Sequence, residues 1–488
     1  MAPRSTPSVA AWSRVDWLAL SLVTLAAAIL RLVALGRPVG FVFDEIFYAR
    51  NACRYVVGDP SVCGIDELAS RAHPPLGNWL IGAGIKLFGF EPFGWRVAAA
   101  VAGTLTVALV YVLAWRLLRP MASGRAASIG AFAAAGLLAT DFLHLVQSRI
   151  AMLDVFITLF VVAAVLAIVL DRDRTRDRRW LLGRPWRLVA GAGLGAATAV
   201  KWSGAYVALA VIGLVIAWEV AVRHRERPAD GWGQVVRSAV VQEGLPTLVL
   251  LGLVPLAVYV LSYTGRMPGE VIGLPWVEGT FWRGVFEHQR QMLEFHTSLG
   301  GDHPYESPPW SWIALKRPVA YYFSGEGDSY REILALGNPL VWWPASAGLV
   351  ALAVRWLRAG AGLSRAEPVI LAGAIATYGP WLILSGARSQ VFLWYLLPTV
   401  PFLCLALGAV AAWLWEVRIA RVAIVAFALA VLASFAFYVP LLTALPLPPE
   451  EWQARILFRD CSRPDAAALR LPDDQINSGF PPNGWCWI

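Results

Sequence analysis

The chain has 488 residues, of which 58% are hydrophobic and only 15% charged, far from the soluble averages of ~45–50% apolar and ~25% charged. With a mean hydropathy of +0.58 it reads as an all-α polytopic membrane protein. Its net charge of +8 does not mark a nucleic-acid binder, because the basic residues fall in short loops between apolar runs, the positive-inside pattern, and form no stripe on a soluble module.

The first apolar run, Trp17–Leu35, matches the ~20 residues needed to cross a bilayer. No small-residue cleavage site follows it, so it is expected to be a retained span with a cytoplasmic N-terminus. Arg31 lies inside it, either snorkelling to the interface or sharing a pocket with the acids that follow. Those acids are Asp44 and Glu45, set among Phe41, Phe43, Phe47 and Tyr48. Carboxylates so close to a bilayer edge must find water, a cation or a reacting proton. The same loop, residues 36–92, carries Cys53, Cys63 and His73-Pro74-Pro75, a titratable side chain before a rigid turn. Leu76–Phe90 is too short to span comfortably and carries Lys86, so an interfacial helix is expected.

Spans follow at Phe93–Leu117, with Arg96 at its start, and Ser128–Leu145. The fourth, Ile150–Leu170, opens with Arg149 and Asp154 and ends in Asp171–Arg187, which holds seven arginines and is expected in the cytoplasm. Leu188–Val222 is read as two short helices turning at Lys201-Trp202-Ser203-Gly204, with Gly191, Gly193 and Gly195 allowing close packing. A single helix would set Lys201 near mid-bilayer at a cost of ~2.5–3.5 kcal/mol.

The seventh span is Leu245–Tyr263. A long outer loop, 265–336, then holds a second interfacial helix with Phe281, Val285, Met292, Phe295 and Leu299 at helical spacing. His288 on it is expected to be structural. The rigid aromatic run His303-Pro304-Tyr305-Glu306-Ser307-Pro308-Pro309-Trp310 suits a surface over a pocket. Spans at Pro339–Val354, Pro368–Leu384, Val391–Trp415 and Ala423–Leu442 bring the count to about eleven, with Arg388 in the outer turn between the ninth and tenth. Residues 1–444 form the membrane domain and 445–488 an extracytoplasmic tail. Cys461 and Cys486 in the tail, like Cys53 and Cys63, are placed to form a disulfide.

The quoted motifs around Asp44-Glu45, His73-Pro74-Pro75-Leu76-Gly77, Arg149-Ile150-Ala151-Met152-Leu153-Asp154, Lys201-Trp202-Ser203-Gly204 and His303-Pro304-Tyr305-Glu306-Ser307 together resemble the protein O-mannosyltransferases, specifically their actinobacterial branch. The resemblance implies a type C glycosyltransferase fold. It also implies transfer of mannose, with inversion, from polyprenyl-phosphate mannose to Ser or Thr of exported polypeptides at the outer face of the plasma membrane. It puts the base at Asp44, Glu45 beside it in the donor or acceptor pocket, and Arg96 at the donor phosphate. Arg149 and Lys201 match motifs as further phosphate candidates, and His73, Asp154, His303 and Tyr305 as acceptor or pocket residues. Arg31 and Arg388 enter by position alone. The loop 265–336 is too short for the MIR domain of eukaryotic members.

The residue chemistry is consistent with this. A polyprenyl-phosphate sugar needs positive charge on its departing oxygens, and a hydroxyl acceptor needs a base. No zinc-ligand spacing is present, and no cofactor is expected to be obligatory. The paired acids leave a divalent cation open. Partners expected are the lipid donor, membrane lipids, the unfolded acceptor and, as a candidate, a secretion channel. Two rivals stand beside this reading. One is a relative that sugars a lipid or polysaccharide, such as an aminoarabinose or arabinose transferase; the other is a lipid-linked-sugar flippase.

Overall fold

In the computed structural model, residues 12–66, 68–174, 183–226, 230–264, 281–298, 303, 305–326, 328–360, 362, 366–384, 390–459, 481 and 487 are described. The chain begins with α1 (Arg14–Leu32), capped by Ser13, whose hydroxyl accepts from the Asp16 amide. The first loop folds into α2 (Glu45–Val56), α3 (Pro60–Cys63) and α4 (Leu76–Phe88), and Cys53 is disulfide-bonded to Cys63. Next come α5 (Pro92–Leu118), α6 (Gly124–Ala139), the short α7 (Phe142–Gln147), α8 (Asp154–Arg174), α9 (Pro185–Val200) and α10 (Gly204–Glu226). The expected third span is therefore broken. α6 ends at Ala139, and Asp141 caps α7, accepting from the His144 amide at 3.0 Å.

The expected break at Lys201 is present, between α9 and α10. Gly191 and Gly195 explain how so short a helix packs: a Cβ on Gly191 would collide with the Leu250 carbonyl oxygen, and one on Gly195 would stand 2.6 Å from that of Pro255. Those carbonyls belong to a helix that begins much earlier than Leu245. It runs as α11 (Trp232–Leu248), a π-helical turn at Val249–Leu253, and α12 (Val254–Leu261). The apolar run marked only the later part of this helix.

The long outer loop holds α13 (Phe281–Ser298) and an antiparallel hairpin, β1 (Val319–Glu326) and β2 (Ser329–Ala335). The hairpin is a departure from the all-α expectation. It forms from a β-branched and aromatic run, with Val319, Tyr321, Tyr322 and Phe323 all buried and a bulge between Ala320 and Tyr322, a composition that suits a strand and that hydropathy averaging hides. The helices α14 (Pro339–Arg358), α15 (Glu367–Leu384), α16 (Val400–Leu414) and α17 (Arg418–Leu442) follow, α16 being preceded by a 3₁₀ segment, Leu393–Thr399, and α17 followed by α18 (Pro449–Gln453). The tail packs on the hairpin: Tyr330 and Leu447 exchange backbone bonds and the Trp452 indole donates to Glu332 at 2.8 Å.

Nine helices among the described residues are long and apolar enough to cross a membrane. The two other elements expected as spans, α6 and α9, are 16 residues each. At the end of the bundle formed by the last turn of α8 and the first of α9, the described ends of the arginine-rich segment are clasped. Arg184 and Arg187 each pair with both Asp171 and Glu243, and all four side chains are buried or nearly so.

Candidate active site

The acid pair sits where the chain leaves α1 and enters α2. Phe43 has φ of +51°, a left-handed conformation that a bulky residue adopts only when its surroundings impose it. The turn sends the two carboxylates in different directions. Glu45 is fully buried and every lone pair is taken. Its Oε1 accepts from Arg96 Nε and the Ala151 amide, both at 2.8 Å, and its Oε2 from Arg96 Nη2 at 2.7 Å and the Val42 amide at 2.8 Å. Asp44 is half-buried, and no group among the described residues hydrogen-bonds its carboxylate. Burial pushes this carboxyl up to about 7; Lys201 pulls it back down, and Asp154 adds to the rise.

The arginines correct the expectation drawn from sequence. Arg96 is buried and, besides Glu45, donates to the carbonyls of Leu35 at 3.2 Å, Pro38 at 2.8 Å and Gly40 at 2.9 Å. A guanidinium has five N–H groups, so none is left for a donor phosphate. Arg96 and Glu45 are together the brace of the 35–45 turn. Arg149 is largely committed to the same stretch of chain through Nη1 and one N–H of Nη2. It donates to the carbonyls of Leu30, Arg31, Val33 and Ala34, capping the C-terminus of α1. Arg31 neither snorkels nor joins the acids: it is fully buried, bonded to the Ala27 and Ala139 carbonyls and to His144 Nδ1. Arg388 lies outside the described residues, as do Cys461 and Cys486.

What does gather beside Asp44 is Lys201 and Asp154. The ammonium donates to Asp154 Oδ2 at 2.7 Å and stands 5.3 Å above the Tyr395 ring. Both line a cavity of about 330 Å³ that is also lined by His73, His296 and Trp202 and by the apolar Ile157, Val207, Pro380 and Leu384 with Tyr206. Asp44 adjoins this cavity without lining it.

His73 lies 5.6 Å, ring to ring, from His296, a residue the sequence reading passed over. His296 Nε2 donates to the Ala72 carbonyl at 2.9 Å, and His288, structural as expected, does the same to that of Arg71 at 3.1 Å. These two bonds seat α13 on the loop before His73. The available signal was spacing: His296 is one turn beyond Met292 and shares its buried side. His303 and Tyr305 do not line the cavity. Their run packs on Val391 and Phe392, through the Ser307 amide to the Val391 carbonyl and the His303 ring edge-on to Phe392. Burial lowers the His303 imidazole.

Among the described residues no three His, Cys, Asp or Glu side chains gather as a metal-binding group. The Lys201 ammonium supplies the positive charge at Asp154.

Two family models together span most of the chain. "Dolichyl-phosphate-mannose-protein mannosyltransferase" matches residues 21–265, and "C-terminal four TMM region of protein-O-mannosyltransferase" matches residues 281–461. The polyprenol-phosphate-mannose–protein mannosyltransferase of Mycobacterium tuberculosis is 30% identical over 90% of this chain and 91% of its own. The chain belongs to the protein O-mannosyltransferase family. The same-named protein of Corynebacterium glutamicum is 29% identical over 83% of this chain and 84% of its own.

In fold, this family member is similar to the solved Saccharomyces cerevisiae Pmt1–Pmt2 complex bound to the sugar donor. The TM-score is 0.70 at 16% identity, covering 91% of this chain and 92% of that one. ArnT from Cupriavidus metallidurans bound to undecaprenyl phosphate is similar at a TM-score of 0.50 and 19% identity, over 82% of this chain and 60% of its own. The architecture is thus that of the membrane glycosyltransferases of type C.

Proposed function

We propose that this protein transfers mannose from polyprenyl-phosphate mannose to Ser or Thr hydroxyls of exported polypeptides, with Asp44 as the base. The observation that carries the reading is the contrast within the acid pair. Glu45 is saturated with hydrogen bonds, whereas the Asp44 carboxylate, hydrogen-bonded by no group among the described residues, is raised toward neutrality and adjoins the Lys201–Asp154 pair. A base that must accept a proton near neutral pH is best matched by such a group. The names of the 30%-identical relatives support the donor and the class of acceptor.

In the reaction, the acceptor oxygen bonds to the anomeric carbon as the bond to the phosphate oxygen breaks. The hydroxyl proton passes to Asp44, and polyprenyl phosphate leaves. Lys201, with His73 in the lining of the same cavity, holds the phosphate oxygens, which carry more charge as the bond breaks. Asp154 keeps the Lys201 ammonium in place. The lipid leaves the cavity between α10 and α15, past Tyr206, Val207, Pro380 and Leu384, into hydrocarbon. A divalent cation is not required in this scheme, and full activity in the presence of a chelator is the expected result. The site faces the extracytoplasmic side, where an unfolded exported chain emerging from a secretion channel would meet it.

The test is purified protein given labelled polyprenyl-phosphate mannose and a Ser/Thr-rich peptide, with mass spectrometry of the product. Mannose on the peptide is expected. Label appearing only on a lipid or polysaccharide acceptor would favour the ArnT-like alternative, and donor translocation without product would favour a flippase.

A further inference from the structure

Tyr321, on β1, comes from the segment that the sequence reading left unassigned. It is fully buried. Its ring stacks on Phe43, with centroids 4.4 Å apart and planes 18° apart, and Trp394 stands edge-on to both rings. Phe43 is the residue held at positive φ immediately before Asp44, so the stack grips the turn that aims the base. The Tyr321 hydroxyl oxygen accepts from Gln147 Nε2 at 2.6 Å. A phenol whose oxygen already accepts keeps its own proton for another partner. The carboxylates whose charge it feels are Asp154 and Asp44, and both, added to burial, keep the phenol protonated well above its usual range. Asp154 is committed to Lys201 through Oδ2; Asp44 makes no side-chain cap bond, and no group among the described residues hydrogen-bonds its carboxylate.

We infer that Tyr321 is a positioning residue for the base: its ring clamps Phe43 so that Asp44 meets the acceptor hydroxyl, and once the acceptor is bound its O–H, which has no acceptor among the described residues, turns to the Asp44 carboxylate and favours the charged form. The inference rests on Asp44 being the base. The titratable groups bearing on this pair are Lys201 before α10, Asp154 at the start of α8, Tyr48 on α2 and Tyr395 before α16. None of them is altered by the test variants. The hairpin thus reaches in from the outer loop to complete a site whose other parts lie on helix ends.

The experiment compares the unaltered protein, Tyr321→Phe, Tyr321→Leu and Gln147→Leu in the peptide assay across the pH range. Tyr321→Phe keeps the stack and removes the O–H. It should lower kcat near neutral pH by about 3- to 10-fold, the worth of one hydrogen bond. The KM for the donor should not change, and the acidic limb of the profile should move up by about 0.5–1 pH unit. Tyr321→Leu should move the limb equally and lose more kcat, because the clamp is gone. Gln147→Leu, which only frees the phenol, should shift the limb less and in the same direction. A Tyr321→Phe protein with an unmoved limb, or with its loss confined to donor KM or to the yield of folded protein, overturns the inference while leaving Asp44 as base. If the unaltered protein transfers no mannose, or Asp44→Asn transfers it normally, the reading of the site falls and this inference with it.

Discussion

Asp44 and Glu45 are neighbours in sequence with opposite environments, and that difference predicts opposite behaviour on substitution. Activity needs Asp44 deprotonated, and its carboxyl is raised to about 7, so kcat/KM should rise with pH through an acidic limb near that value. Asp44→Asn should lower turnover by roughly 10²–10⁴-fold and keep donor binding. The same group makes a stability prediction. Its folded pKa lies above the ordinary value of 3.8, so the folded state holds the proton more tightly, and stability falls as pH rises between about 4 and 7. Asp44→Asn should therefore raise the unfolding temperature more at pH 8 than at pH 5, as read by thermal unfolding in detergent. Arg96→Ala should behave as a broken brace. It leaves the Glu45 carboxylate buried and unpaired, a loss of about 3–5 kcal/mol. The expected result is little folded protein, with donor KM nearly unchanged in whatever folds; a folded variant with a large rise in donor KM would return Arg96 to the phosphate.

At the scale of elements, α8 and α9 carry the site at one end and a charge clasp at the other. Asp154 opens α8 and Asp171 lies in its last turn; Lys201 follows α9 and Arg187 lies in its first turn. The clasp turns on Glu243 from α11, whose Oε2 takes both Arg184 and Arg187. Glu243→Ala removes the carboxylate that two buried guanidinium groups share, so thermal stability should drop by about 3–5 kcal/mol. Glu243→Gln, which still accepts a hydrogen bond, should lose less. Since the sixteen residues of α9 put ~24 Å between clasp and Lys201, donor KM should stay constant in both variants, and a changed KM would show that the clasp is coupled to the site.

Across the whole molecule, the span of α8 from Asp154 to Asp171 covers ~26 Å at 1.5 Å per residue, close to the thickness of hydrocarbon. Site and clasp thus stand at opposite faces of the bundle. The positive-inside rule then puts the arginine-rich clasp in the cytoplasm and the Asp44 site outside, as we propose. Reporter fusions check it: one after Arg187 should report the cytoplasm, and one after Gly204 the outer side. An outer location for the first would remove the site from the face where exported chains emerge.

Composition and the spacing of apolar runs were enough to read a many-helix membrane bundle, because hydrocarbon imposes length and hydropathy on each span locally. The break at Lys201 was legible for the same reason, since a lysine and a glycine triplet are costly or telling at known depths. The motifs around Asp44, His73, Asp154 and Lys201 were legible as chemistry held at helix ends. Tertiary structure alone decided which charges are free. Arg31, Arg96 and Arg149 are the same residue type at similar depth, and only the folded chain shows carbonyls of α1 and the 35–40 turn, or His144, taking their N–H groups. The hairpin with Tyr321, the seat of His296 and the early start of α11 were likewise hidden, because each is fixed by residues far away in sequence. A periodic pattern records the solvent a segment sits in; a hydrogen-bond partner two hundred residues away leaves no mark on it.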